Sequence, residues 1–183
     1  CIIGVSGGTD STYTLLLAKK LGLRPLAVHF DNGWNSELSV ANIHNALQIL
    51  EIPLETYVVN WEEFKDLQES FLKASVPEAE IPSDLAIVSV LYKYAHGHNV
   101  KYILNGISFR TEGNMPLIWG YCDGKYLKSI HKKFGTVPLK TFPNLTLFKM
   151  FYYNIIRRIK VIRFLNYVNY TKPGAQTILE KEL

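Results

Sequence analysis

Cysteine is scarce: Cys1 and Cys122 are the only two in 183 residues. Two thiols are too few for a disulfide framework, and a two-cysteine zinc site would need histidine partners. We therefore expect two free thiols in a reducing cytoplasm. No run of about 18 uncharged apolar residues occurs, so we expect no segment to span a bilayer and no membrane partner. The first ten residues lack a basic segment and a cleavage site, so we do not expect them to be a secretion signal. Internal repeats and low-complexity stretches are also missing. Acidic residues are absent between Lys125 and Arg163, a stretch that carries Lys128, Lys132, Lys133, Lys140, Lys149, Arg157, Arg158 and Lys160. Such a block attracts an anion or forms a solvated basic face. The net charge is +4.

What is present is a globular composition: 48% of residues are hydrophobic and 20% charged, enough apolar surface for a substantial core. The chain begins at Cys1 directly in an apolar run and stops in a helix-like segment at Leu183, so we expect it to be a piece of a longer protein.

Apolar runs and helical periodicities alternate. Strands are expected at Cys1–Val5, Pro25–Phe30, Leu54–Val59 and Lys101–Leu104. Helices are expected at Ser11–Leu21, Ser36–Leu50, Trp61–Ala74 and Asp84–His96, with Pro77 and Pro82 breaking the chain between the last two. This order predicts an α/β fold, a parallel sheet with helices on both faces, whose ligand lies beyond the carboxyl ends of the strands. After Gly113 the alternation stops. Asp123–Phe134 and Leu145–Lys160 read as helices, Val161–Phe164 as a last strand and Thr171–Leu183 as a terminal helix.

The first strand runs into Ser6-Gly7-Gly8-Thr9-Asp10-Ser11 and then a helix. Two glycines let the backbone turn tightly and bring its N–H groups to an anion. The following helix points its positive end at the same place. Ser6 and Ser11 add hydroxyl donors. An acid inside a phosphate cradle repels phosphate unless a cation lies between, so Asp10 implies Mg²⁺. No Lys-Ser/Thr pair follows the second glycine, so this is not a Walker A loop, and G-x-G-x-x-G is absent too.

The Ser6–Ser11 segment resembles the S-G-G-x-D-S signature of the N-type ATP pyrophosphatases, the PP-loop enzymes. The resemblance implies an adenine nucleotide alpha hydrolase-like, Rossmann-like fold, ATP and Mg²⁺ as cofactors, and adenylation of a carbonyl oxygen with loss of pyrophosphate. Further stretches are similar to one branch, the N-acetyl sugar amidotransferases of surface-polysaccharide and flagellar-sugar pathways: Leu23 to Asn35, Trp61-Glu62-Glu63-Phe64, Lys73 to Pro77, Tyr102-Ile103-Leu104-Asn105-Gly106 and Lys140-Thr141-Phe142-Pro143. That branch implies amidation of an N-acetyl group on a nucleotide-linked sugar to an acetamidino group, for lipopolysaccharide, O-antigen or flagellin glycans. Ammonia would come from a separate glutaminase subunit. Members carry a cysteine-rich segment before the first strand, which is not in this sequence. Arg163-Phe164-Leu165 stands where many pyrophosphatases have Arg-Pro-Leu.

The resemblance divides the chain into a pyrophosphatase domain, 1–113, and a basic helical extension packed on it, 114–183. It assigns Asp10 and Ser11 to catalysis, with Asp10 on Mg²⁺. It assigns Ser6, Gly7, Gly8, His29, Phe30, Asp31, Asn32, Asn105 and Gly106 to ATP, with Gly106 expected to admit the AMP portion. Asp31 and Asn32 equally suit a loop that caps the next helix. Asp84, Arg110, Glu112 and His131 are substrate candidates: Arg110 for phosphate, Glu112 for the nucleophile or sugar, His131 for an anion beside Lys132 and Lys133. Asp84 also suits a plain helix N-terminus. His96 and His98 read as a surface helix end rather than a metal pair. Phe148, Phe151, Tyr152 and Tyr153 interleave with cations, as in nucleic-acid binders, but their spacing fits a core stripe better. A tRNA thiolation enzyme and an ATP-binding sensor without chemistry are the alternatives, and a nucleic-acid partner is not expected.

Overall fold

The computed structural model describes residues 1–110 and 122–183. Glu112 and the expected boundary after Gly113 lie outside the described residues.

Four apolar runs form the strands β1 (Ile2–Val5), β2 (Leu26–Asp31), β3 (Leu54–Val58) and β4 (Tyr102–Asn105). Between them lie the helices α1 (Thr9–Lys20), α2 (Glu37–Leu50), α3 (Trp61–Ala74) and α4 (Ile81–Gly97). A fifth strand, β5 (Lys160–Arg163), joins the sheet late in the chain. The order is β3-β2-β1-β4-β5, and every pairing is parallel. The chain first moves from β1 towards β3, then returns to place β4 on the other side of β1. β1 and β4 therefore flank the point where the winding reverses, the place where open α/β sheets bind ligands.

Side-chain alternation along the strands supplies two cores. Ile2, Val28, Phe30 and Ile103 pack beneath α3 and α4 with Phe64, Leu67, Phe71, Leu85 and Val90. Their neighbours Ile3, Ala27 and Leu104 face the other way, onto Leu15 and Ala18 of α1 and Ile43 and Leu47 of α2. A sheet buried on both faces explains why these strands read as continuous apolar runs.

The helix starts follow local chemistry. Ser36 and Asn60 cap α2 and α3 by accepting the N–H groups of Ser39 and Glu63; Asp123 does the same for Tyr126 at the start of α5 (Gly124–Phe134). Each satisfies an otherwise orphaned donor. Pro82 does not break the chain as expected. It lies in the first turn of α4, which begins at Ile81, where its missing N–H costs nothing.

The expected Leu145–Lys160 helix is shorter. Only Leu147–Phe151 is α-helical (α6); a π turn covers Tyr152–Ile156. Arg158 then takes a positive φ of 54°, and the Lys160 N–H donates to the Lys101 carbonyl at 2.8 Å. Sheet pairing with β4 wins over helix propensity here. A 3₁₀ turn (Phe164–Tyr167) and α7 (Lys172–Glu182) end the chain; Leu165, Tyr170 and Ala175 pack onto Tyr13 and Leu17 of α1.

Two buried carboxylates on α3 tie down the segment after α5. Glu63 accepts the N–H groups of Thr141 and Phe142 and the Thr141 hydroxyl. Asp66 accepts the Thr136 N–H and hydroxyl and stands 2.9 Å from His131 Nε2. Burial alone would raise the Asp66 pKa, but hydrogen bonds from Thr136, Val137 and His131 outweigh it and hold the carboxyl at about 2. His131 is thus a structural partner of Asp66.

No helix among the described residues is long and apolar enough to cross a membrane.

Candidate active site

A cavity of about 560 Å³ opens at the carboxyl ends of β1, β2 and β4, within the roughly 300–1,000 Å³ typical of small-molecule sites. Ser6, Asp10 and Ser11 line one side, Asn32 and Asn35 another, Asn105 and Gly106 a third, and Asp84, Ile87, Val88 and Leu91 of α4 form the remaining wall. One end is polar and the α4 side is apolar.

The glycine loop forms the polar end. Gly7 has a φ of 74°, a conformation that L side chains rarely adopt. A Cβ on it would stand 2.2 Å from the Ser39 carbonyl oxygen of α2, so the loop packs backbone to backbone against that helix. Gly8 is the N-cap of α1 and no side chain caps the helix. The first-turn N–H groups are therefore left for an anion. The Ser11 hydroxyl closes the turn: it donates to the Gly8 carbonyl at 3.1 Å and accepts the Ser6 N–H at 3.3 Å. Ser6 keeps an exposed hydroxyl 3.4 Å from that of Ser11.

Asp10 lies in the first turn of α1, and Oδ1 of its carboxylate accepts a hydrogen bond from the Tyr170 hydroxyl. Burial pushes the Tyr170 phenol far above its ordinary pKa, and the Asp10 hydrogen bond acts in the same direction, so the phenol stays a donor. Gly106 lines the cavity and also packs closely on α1. A Cβ there would meet the Asp10 carbonyl oxygen at 3.0 Å and the Ser11 nitrogen at 3.2 Å, so its closest approach is to the start of α1. Asn105 Oδ1 accepts the Ile107 N–H at 2.9 Å and shapes the same turn.

On the β2 side, Val5 pairs with His29 as the last β1–β2 register. β2 runs two residues further, so Phe30 borders the cleft past the end of β1. The His29 side chain donates from Nδ1 to the Val5 carbonyl at 2.9 Å, a bond that ties β2 to β1 at the cavity lining. Asp31 Oδ1 accepts from the Gly33 N–H and the Asn35 amide, and Asn32 Oδ1 from the Trp34 N–H. The loop is thus built by its own side chains, and Asp31 does not line the cavity. Asn35 does, although it was not among the candidate site residues.

Asp84 lines the cavity, whereas Arg110 and His131 do not. The Arg110 guanidinium donates to the Val168 carbonyl at 3.0 Å and stacks on Phe109, which docks its loop on the Phe164–Val168 segment. The guanidinium is thus engaged by the chain's own backbone and an aromatic ring. Arg163 sits in register with Asn105 at the carboxyl end of β5, on the same edge as the cavity.

Fit to Mg²⁺ and ATP can be judged from these groups. Among the described residues no cluster of three or more His, Cys, Asp or Glu could hold a metal, and His96 and His98 do not form one. One carboxylate at a phosphate cradle is nevertheless the usual arrangement for Mg²⁺, which takes its other ligands from phosphate and water. The residues present fit an ATP–Mg²⁺ complex.

A parallel sheet with a reversal between β1 and β4, an uncapped glycine-rich helix start and an acid within it define a PP-loop ATP-utilising protein. The comparisons agree. The model of the family "Queuosine biosynthesis protein QueC" matches residues 1–123, and the chain belongs to that family. Among solved structures, a predicted subunit of a tRNA methyltransferase from Methanocaldococcus jannaschii is similar in fold. It shares 12% identity over 98% of this chain and 75% of that chain, with a TM-score of 0.51. No curated protein matches.

Proposed function

We propose that the chain is an AMP- and pyrophosphate-forming amidotransferase whose acceptor is the N-acetyl group of a nucleotide-linked sugar. The observation that carries the adenylation is the α1 N-terminus without a side-chain cap, with Ser6, Asp10 and Ser11 lining one end of the cavity between β1 and β4. When bound, ATP activates the acceptor's carbonyl oxygen by taking it onto AMP with loss of pyrophosphate, and ammonia then displaces AMP.

The chain's own groups position and neutralise. The α1 N–H groups and the Ser6 hydroxyl hold the departing pyrophosphate. Asp10 would be the residue to hold Mg²⁺, which would neutralise the leaving charge. Phe30 and Asn32 at the end of β2 border the base, and the apolar α4 wall excludes water beside Asp84. Catalysis is then mainly orientation and preorganised electrostatics. The sugar acceptor and a glutaminase subunit as ammonia source rest on the motif resemblance, which extends to Lys140–Pro143, beyond the residues that the QueC model matches.

The second reading is a nucleobase or tRNA-modifying activity, favoured by the description of the QueC family and by the basic face of α5. A sulfur-transfer version is disfavoured. Burial pushes the Cys122 thiol up to about 11, and Asp84, Asp123 and Glu78 add to the rise, whereas a persulfide carrier needs an accessible thiolate.

Pyrophosphate release from Mg-ATP by the longest native chain tests the proposal, with ammonium, a panel of nucleotide-linked N-acetyl sugars and a separate tRNA arm. Release that requires one sugar and ammonium is the expected result. Release with tRNA alone would move the assignment to the second reading.

A further inference from the structure

The geometry points to Tyr170 as the residue that positions Asp10 for the metal–phosphate complex, an inference that rests on the placement of Mg²⁺ at Asp10 above. Among the described residues, Tyr170 is the one side chain that hydrogen-bonds the Asp10 carboxylate, across a separation of 160 residues. Neither the glycine loop nor α1 supplies a donor to that carboxylate. Without a partner it would be free to turn about its own side-chain bonds at the wall of an open cleft. One oxygen fixed by a donor aims the other.

Tyr170 is suited to that task. It is 1% exposed. Its ring centroid lies 5.7 Å from that of Tyr13 on α1, and Leu165 and Ala175 complete its surroundings. Packing on these sides locks the rotamer, so the hydroxyl stays aimed at Asp10 Oδ1. The side chain is delivered by the segment between the 3₁₀ turn and α7, which the Arg110–Val168 contact and the Phe109 N–H to Asn166 bond hold against the loop after β4. The glycine loop is thus incomplete by itself: the orientation of its acid comes from the other end of the chain.

A buried phenol also needs a partner for its own sake, so the test must separate positioning from packing. Tyr170→Phe in the longest native chain removes the hydroxyl and keeps the ring. Affinity of the ATP complex for Mn²⁺ is read by electron paramagnetic resonance, and ATP affinity in EDTA by calorimetry. The expected result is a loss of about tenfold in Mn²⁺ affinity with ATP affinity in EDTA unchanged. In an Asp10→Asn background the same substitution should add no further loss. Tyr13→Leu loosens the packing around the Tyr170 ring but keeps the hydroxyl, and should cost less Mn²⁺ affinity than Tyr170→Phe. Equal Mn²⁺ affinity in Tyr170→Phe, additive losses in the two backgrounds, or a matching loss in Tyr13→Leu would overturn the inference. If Asp10→Asn alone leaves Mn²⁺ affinity intact, the metal assignment falls and the inference falls with it. Loss in Asp10→Asn without loss in Tyr170→Phe would sink the inference alone.

Discussion

Replacing each loop glycine by alanine separates the fold of the loop from its function. At Gly7 the new Cβ meets the Ser39 carbonyl oxygen at 2.2 Å, and φ is 74°. The backbone conformation costs an L side chain about 1–2 kcal/mol. Relieving the overlap pushes α2 off the loop, an overpacking cost of about 1–3 kcal/mol. The sum, roughly 2–5 kcal/mol, lowers Tm by on the order of 5–15 °C for a chain of this size. At Gly8 the backbone is extended, with φ −84° and ψ 163°, and the Cβ meets only the Ser6 hydroxyl at 3.5 Å. Alanine is a poorer N-cap by about 0.5–1 kcal/mol, and stiffening the unfolded chain returns about 0.4–1 kcal/mol, so Tm stays within roughly 3 °C of wild type. The added methyl nonetheless occupies the concavity shared with Ser6, and ATP affinity should fall by at least about tenfold, near 1.4 kcal/mol. Differential scanning fluorimetry and calorimetric ATP titration read the two quantities. Wild-type Tm for Gly7→Ala would refute the loop–α2 packing argument, and wild-type ATP affinity for Gly8→Ala would remove the phosphates from this helix start.

Other expectations follow from single contacts. Asp10→Ala should abolish pyrophosphate release while circular dichroism stays native; full activity would remove its metal role. Asp66, with its folded pKa held at about 2 against an ordinary 3.8, stabilises the fold by on the order of 2 kcal/mol above pH 4. Because the folded pKa is depressed, that contribution is lost as the pH falls from about 4 to about 2, and Asp66→Asn should flatten this limb of an acid-unfolding curve. An unchanged limb would mean the Thr136 and His131 bonds contribute little. Cys122→Ser should leave turnover intact; loss of activity would reopen sulfur transfer.

The glycine loop and its strand–helix setting were legible because they are local. A strand, two glycines, an acid and a helix within eleven residues define an anion cradle with no knowledge of the rest of the chain. The apolar runs announced a sheet buried on both sides for the same reason. Roles that depend on distant partners were not legible. Arg110 carries a charge suited to phosphate, yet a carbonyl at Val168 holds it. His131 stands among lysines in the sequence, and Asp66 of another helix holds it in the structure. A Cβ added at Gly106 would also stand 3.0 Å from the start of α1, a contact the sequence did not announce. The Leu145–Lys160 periodicity favoured one helix until pairing with β4 claimed its end.

By itself the sequence determined the α/β class, the phosphate cradle with its acid, and the edge of the sheet where a ligand belongs, since periodicity and glycine chemistry act over a few residues. Only the tertiary structure decided that β5 closes the sheet beside β4, which buried acids hold the chain after α5, and that Tyr170 orients Asp10. Those depend on contacts between residues far apart in the chain, and a one-dimensional pattern carries no record of which groups folding brings together.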